Sequence, residues 1–216
     1  MLSKLKYYLL LGVKKPNLIL SFIYKKHIGL IISIPIISVN IPENNFNMKI
    51  TKSDNITEIT NFYRGMGRDS INKSIVERWL NKKFFCFLVY ENDTAIGGMW
   101  VFKETFTLNN TSGRTLSQNQ KIRLNKEYIY GGNVIINEEY RGKGINQALL
   151  NHVIKHFSKH SNYKELIVIT GATNGAYIRS TMKASGVLIG ITQVINLIGF
   201  KFRKELFLDK KKKVWI

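Results

Sequence analysis

The sequence predicts a mixed α/β domain whose central sheet is flanked by helices. Three observations predict it. From Tyr128 to Thr170 the pattern runs strand, glycine-rich turn, helix, strand, the unit that produces parallel pairing. Two apolar runs, 84–90 and 95–104, oppose each other across Asn92-Asp93 as a β-hairpin. And 216 residues with 44% hydrophobic content are enough to bury a substantial core.

Thirty-three Lys and Arg against 14 Asp and Glu leave a formal charge of +19. That field attracts anions: nucleotide cofactors, nucleic acid or an anionic membrane face. No recognised nucleic-acid motif accompanies it, and the lysines are spread along the chain, so no specific nucleic acid is expected as a partner. The single cysteine, Cys86, lies in the apolar run FFCFLVY and reads as a buried small hydrophobe. One cysteine excludes an internal disulfide framework and fits a reducing cytoplasm. No stretch reaches the ~18–20 uninterrupted apolar residues of a spanning helix. The longest candidate, His27 to Ile41, contains Pro35, and no small-residue cleavage site follows the apolar run at Tyr7 to Val13. The expected location is cytoplasmic.

In chain order, residues 1–26 read as one or two amphipathic helices broken at Pro16-Asn17. They carry six lysines and no acidic residue, interleaved with Leu, Ile, Tyr and Phe. Such a segment suits peripheral contact with the anionic inner face of a membrane, packing on the main domain, or a homodimer contact. Residues 28–41 read as one strand or two, with Pro35 implying an edge or a bulge. The turn-like PENNFN at 42–47 separates an extension, 1–45, from a main domain, 46–216. The main domain opens with a short strand and a helix capped near Ser53 or Asp54. A second helix covers 70–82, with Ile71, Ile75, Trp79 and Leu80 inward. The hairpin follows, then a long polar loop over 107–126. Next come a strand at 128–137, a helix at 144–160, a strand at 164–170, a helix at 174–185, and strands at 188–199 and 200–208. In the helix at 144–160, Ile145, Leu149, Val153 and Phe157 recur every four residues, with Ala148 on the same face.

The turn Arg141-Gly142-Lys143-Gly144 carries the chemistry. A glycine-rich turn opening a helix presents free backbone N–H groups and the positive end of the helix dipole, which suits a phosphate or pyrophosphate. Arg141 and Lys143 add two cations. A P-loop would need Ser or Thr after the lysine, and Gly144 and Ile145 stand there. A dinucleotide fingerprint would need a third glycine where Gln147 stands. Arg141-x-x-Gly144 after a long strand resembles the acyl-CoA signature of the GNAT acyltransferase superfamily, Arg/Gln-x-x-Gly-x-Gly/Ala, with Asn146 in place of the last small residue. The element order of 46–216 resembles the GNAT fold.

The resemblance implies a central mixed sheet in which two neighbouring strands splay at a bulge. Gly131-Gly132-Asn133 is where such a bulge is expected. It implies backbone hydrogen bonds from Val134, Ile135 and Ile136 to the pantetheine arm of acetyl-CoA. The pyrophosphate is implied at Arg141, Gly142, Lys143, Gly144, Ile145 and Asn146, where the Asn146 side chain is expected to crowd it. Asn174 resembles the family's cofactor-contacting Asn, and Lys183 to Val187 resembles the family's Lys-x-Gly-Phe with one residue inserted. Tyr177 is the candidate acid for the departing thiolate, Thr181 standing where the family's tyrosine is common; packing on the inner helix face is its other reading. The base is not assigned: Glu104, Glu127, Glu138 and Glu139 flank the strands and also read as surface carboxylates. His152, His156 and His160 share one helix, but no Cys or HExxH-type Glu joins them, so no metal site is expected.

The implied function is acyl-CoA-dependent N-acyltransfer, of acetyl from acetyl-CoA to a small-molecule primary amine. The basic, apolar extension resembles that of bacterial family members in cell-surface polysaccharide pathways, which implies an amino-sugar acceptor. The rival readings are a non-catalytic acyl-CoA sensor and a basic nucleic-acid binder.

Overall fold

The computed structural model describes residues 24–37, 48–108, 120–160, 162–197 and 200–208. In chain order these form β1 (Tyr24–Pro35), β2 (Lys49–Ser53), α1 (Ile56–Gly65), α2 (Lys73–Asn81), β3 (Phe85–Glu91), β4 (Thr94–Lys103), β5 (Thr105–Leu108), β6 (Gln120–Arg123) and β7 (Tyr128–Ile136). A short 3₁₀ turn (Glu138–Tyr140) leads to α3 (Ile145–His160), β8 (Glu165–Gly171), α4 (Gly175–Lys183), β9 (Val187–Leu197) and β10 (Phe200–Phe207). Eight strands make one sheet, ordered β10–β9–β1–β8–β7–β4–β3–β2. Within it only β7 and β8 run parallel, as the crossover through α3 predicts.

Both faces of the sheet are covered. Helices α1 and α2 lie over an aromatic layer in which Trp79 meets Trp100 edge-on at 4.8 Å and Phe102 stacks on Phe106 at 4.8 Å. On the other face, Ile145, Leu149, Val153 and Phe157 of α3 all point inward, with Ala148, as their spacing predicts. Burial on both faces explains why β3 reads as an unbroken apolar run. Cys86 is fully buried there, and burial pushes its thiol pKa well up, so it is an inert core residue.

The strand predicted inside the N-terminal extension belongs to the main sheet. β1 lies antiparallel between β8 and β9. Ile31, Ile32 and Ile34 are all fully buried, which only a strand covered on both faces provides. The extension and the main domain therefore share one sheet across the boundary expected at 45/46. Pro35 is accommodated because pairing with β9 ends at Ser33 while pairing with β8 continues to Pro35. One side of the strand is thus a local edge at the proline. A bulge lies between Ile31 and Ile32 on the β9 side. The helices expected over 1–26 are corrected at their end, where residues 24–26 open β1 and pair with β9; residues 1–23 and the turn at 42–47 lie outside the described residues. No helix among the described residues is long and apolar enough to cross a membrane.

Three local expectations are corrected. Helix α1 is capped by Asn55, whose Oδ1 accepts the Glu58 N–H at 3.1 Å. Ser53 is committed elsewhere, its hydroxyl donating to Glu58 Oε2 at 2.6 Å. Helix α2 starts later than expected, capped by Asn72, and buries Val76 and Trp79, with Ile75 and Leu80 half-buried. The polar stretch 107–126 is not all loop: β5 and β6 pair, with Phe106 opposite Ile122 and both buried against the aromatic layer. Two apolar side chains with cross-strand partners outweigh the polar composition around them. The β3–β4 hairpin turns as expected, Asn92 and Asp93 adopting φ of +46° and +64°.

Candidate cofactor site

Strands β7 and β8 pair only from Tyr128–Glu165 to Gly131–Val168. Beyond that, β7 stays with β4 out to Ile136 and β8 stays with β1 out to Gly171. A wedge-shaped gap therefore opens in the middle of the sheet, between 132–136 and 169–171. Each wall carries main-chain N–H and C=O groups with no neighbouring strand. The cause is local. Gly98 pairs with Ile135 and Trp100 with Gly132, so Met99 faces two residues, Asn133 and Val134. That is a β-bulge, and Asn133 takes φ of +51° within it. The Tyr63 hydroxyl of α1 donates to the Asn133 carbonyl at 3.0 Å and holds the bulge from one face. A Cβ at Gly131 beside it would lie 2.1 Å from Met99 Cε, so the end of that methionine would have to shift.

The turn that follows stands at the open end of the gap. Asn137 Oδ1 accepts the Glu139 N–H at 3.3 Å and starts the 3₁₀ turn. Gly142 and Gly144 then adopt φ of +80° and +79°, which L side chains rarely tolerate. The Gly144 carbonyl accepts the first helical bond of α3, from Ala148 N–H at 3.0 Å. Among the described residues, none of the six backbone N–H groups from Gly142 to Gln147 has an acceptor. A Cβ at Gly142 would meet nothing within 4 Å, so the space over the turn is open. A row of free N–H groups at the positive end of a 16-residue helix is a cradle for a phosphate group. Next to a strand edge with no neighbouring strand, it fits a ligand with a pyrophosphate and an amide-bearing arm, as in coenzyme A.

Residues 54–180 match the model of the acetyltransferase (GNAT) family. The chain belongs to that family. Solved structures similar to it include a GNAT-family acetyltransferase from Colwellia psychrerythraea, at 15% identity and TM-score 0.51 over 83% of this chain. An N-acetyltransferase from Sphaerobacter thermophilus shares 16% identity at TM-score 0.51 over 88% of this chain. A conserved protein of unknown function from Staphylococcus epidermidis shares 12% at TM-score 0.50 over 80%. At these identities the likeness is one of fold. The chain spans 56%, 56% and 62% of those three chains, in the same order. No curated protein matches the sequence.

In this GNAT chain the residues expected at the cofactor gather around the gap, each in its own state. Val134 packs toward α3 and Ile135 toward α1, so the two apolar layers hold the backbone between them. The Ile136 carbonyl is taken by Arg141 Nε at 3.3 Å. Arg141 is exposed, and its guanidinium also pairs with Glu138 at 2.8 Å. Lys143 Nζ lies 4.7 Å from the centre of the Tyr140 ring. Ile145 is buried and anchors the first turn of α3. Both polar atoms of the Asn146 amide are buried and have no hydrogen-bond partner among the described residues.

Across the gap, Asn174 caps α4, its Oδ1 accepting the Tyr177 N–H at 3.3 Å. Tyr177 packs on the apolar layer beneath α3 and is half-buried. Burial, then the nearby Tyr130, pushes its phenol pKa well up, so the hydroxyl keeps its proton at any physiological pH.

The candidate carboxylates do not converge. Glu127 pairs with Lys164, and it and Glu104 adjoin the closed end of the wedge. Glu138 is held by Arg141, and Glu139 is exposed. His152 and His156 pack their rings against Phe87, at 5.8 and 5.3 Å, along the edge of the α3 seam. Tyr63 was beyond sequence reasoning. Ile59, Phe62 and Tyr63 at helical spacing mark an inward face, and nothing in the pattern says which carbonyl a phenol on that face will reach.

Proposed function

We propose that the protein is an acyl-CoA-dependent N-acyltransferase that transfers acetyl from acetyl-CoA to a primary amine. The observation that carries the proposal is the continuity of the six unpaired N–H groups at the turn with the open edge of β7. One holds anionic phosphate, the other an extended amide chain, and their order along the chain matches the order of those groups in coenzyme A. The acetyl thioester supplies an activated acyl group. This chain's residues have to orient it, keep an amine beside it and manage two protons.

The bulge at Asn133 and Val134 turns the backbone of β7 toward the gap, where an N–H can polarise a carbonyl oxygen. Tyr177 is the candidate donor to the leaving sulfur; burial keeps its phenol protonated, and the same raised pKa makes it a weak acid in that role. With no free carboxylate converging on the gap among the described residues, the amine's proton leaves through water. The acceptor we propose is an amino sugar, on the family resemblance of the basic, apolar N-terminal segment.

The test is thermal unfolding with acetyl-CoA, CoA or ATP, followed by thiol release with glucosamine-type sugars and with peptide amines. Saturating acetyl-CoA at a hundredfold excess over Kd is expected to add about 2.7 kcal/mol of stability. Thiol release is expected with the sugars. No shift with either CoA species refutes acyl-CoA binding. A shift without turnover on any amine means a sensor.

A further inference from the structure

A second cavity lies at the far end of α3, about 17 Å along the helix from the phosphate turn. Its volume is about 470 Å³, within the range of small-molecule sites. Phe85 at the start of β3, Phe157 of α3 and Tyr163 beyond it give it aromatic walls. These rings already meet edge-on, Phe85 with Phe157 at 5.2 Å and Phe157 with Tyr163 at 5.8 Å. His156 closes one side, its ring 6.0 Å from that of Phe85.

The charge at this cavity is one-sided. Lys103 and Lys126 line it, and Lys52 Nζ and Lys103 Nζ lie 5.7 and 6.0 Å from the Phe85 ring centre. Among the described residues, none of these three lysines forms an ion pair, whereas the adjacent Lys164 is paired with Glu127. One carboxylate, Glu104, is near enough to act on Tyr163. The last carbonyls of α3 add about half a negative charge. Three ammonium groups outweigh both. Cations at the rim of an aromatic cleft with no carboxylate paired to them among the described residues match a ligand with an anionic head and a flat apolar body.

We propose that this cavity is a binding site for a small aromatic anion, a carboxylate, sulfonate or phosphate ester. Its ring lies among Phe85, Phe157 and Tyr163, and its charge meets Lys103 and Lys126. The site is separate from the gap between β7 and β8 and does not depend on the acyltransferase reading.

Isothermal titration with 1-naphthalenesulfonate tests it on the full chain, with and without saturating CoA. The expected result is one site per chain, unaffected by CoA. The double variant Lys103→Gln/Lys126→Gln should weaken it about tenfold, and Phe85→Ala should weaken it as well. Lys126 is exposed and Lys103 half-buried, and neither belongs to a core cluster, so the double variant is expected to fold, which its circular dichroism checks. Absence of a stoichiometric site, displacement of the probe by CoA, or unchanged affinity in the folded double variant overturns the proposal.

Discussion

The hydroxyl of Tyr63 donates a 3.0 Å hydrogen bond to the main-chain carbonyl of Asn133, joining α1 to the bulge at which β7 leaves β8. Asn133 sits there with φ of +51°, in a conformation that its neighbours have to hold. Tyr63 is fully buried, so its hydroxyl depends on this acceptor. The opening of the gap thus depends on a residue 70 positions away in sequence.

Tyr63→Phe keeps the ring and deletes this bond. It is expected to cost about 1–2 kcal/mol of stability by leaving the Asn133 carbonyl without its donor. On the proposed function, in which the bulge orients the reacting carbonyl and the turn at Gly142 and Gly144 holds the cofactor, it should also lower kcat more than it raises KM. Urea unfolding and steady-state kinetics check both parts. Unchanged kcat in a destabilised variant would reduce Tyr63 to a packing residue.

The end of α4 carries a second testable pair. Ser185 takes φ of +63°, the position where a helix usually ends in glycine, and Gly186 follows it. A Cβ on Gly186 would lie 2.5 Å from the Thr181 carbonyl oxygen, a backbone atom that cannot give way. Ser185→Gly should therefore stabilise the protein by about 1 kcal/mol. Gly186→Ala should destabilise it by about 1–3 kcal/mol. Thermal or urea midpoints of the two variants should move in opposite directions. Movement in the same direction would contradict this account of the turn.

Burial, and then Lys155, lowers the pKa of His152 below 6.5 in the folded protein. The unfolded chain then binds the proton more readily, so stability from this group is present above its unfolded pKa. It is lost as the pH falls through about 6.5 toward the lower folded value. Urea midpoints at about pH 7.5 and about pH 5.5 should fall on acidification, and His152→Gln should flatten that fall. An equal fall in the variant would assign the dependence to other groups.

Much of this architecture is legible in the sequence because local signals agree there. The α3 seam, the Asn92-Asp93 hairpin and the parallel crossover each rest on short-range periodicity or turn chemistry, and each is found. The glycines at 142 and 144 are legible for the same reason, since positive φ favours glycine. What is not legible is long-range. The isoleucine run of β1 says that it is buried but not between which strands, and its insertion between β8 and β9 is a decision of topology. The hidden amide of Asn146 and the reach of Tyr63 depend on side-chain direction, which spacing does not encode. The β5–β6 ribbon fails to announce itself because its polar residues dominate the composition and only Phe106 and Ile122 face the core.

The central claim is that the turn ahead of α3 holds the pyrophosphate of acetyl-CoA, and titration calorimetry of the Gly144→Val variant tests it most directly. Gly144 has φ of +79°, so a branched side chain strains the turn and stands where the backbone N–H groups must approach the ligand. Wild-type protein is expected to bind one acetyl-CoA per chain, and a Gly144→Val protein that keeps its circular dichroism is expected to bind none. Unchanged affinity in that folded variant would contradict the claim and move the cofactor away from this turn.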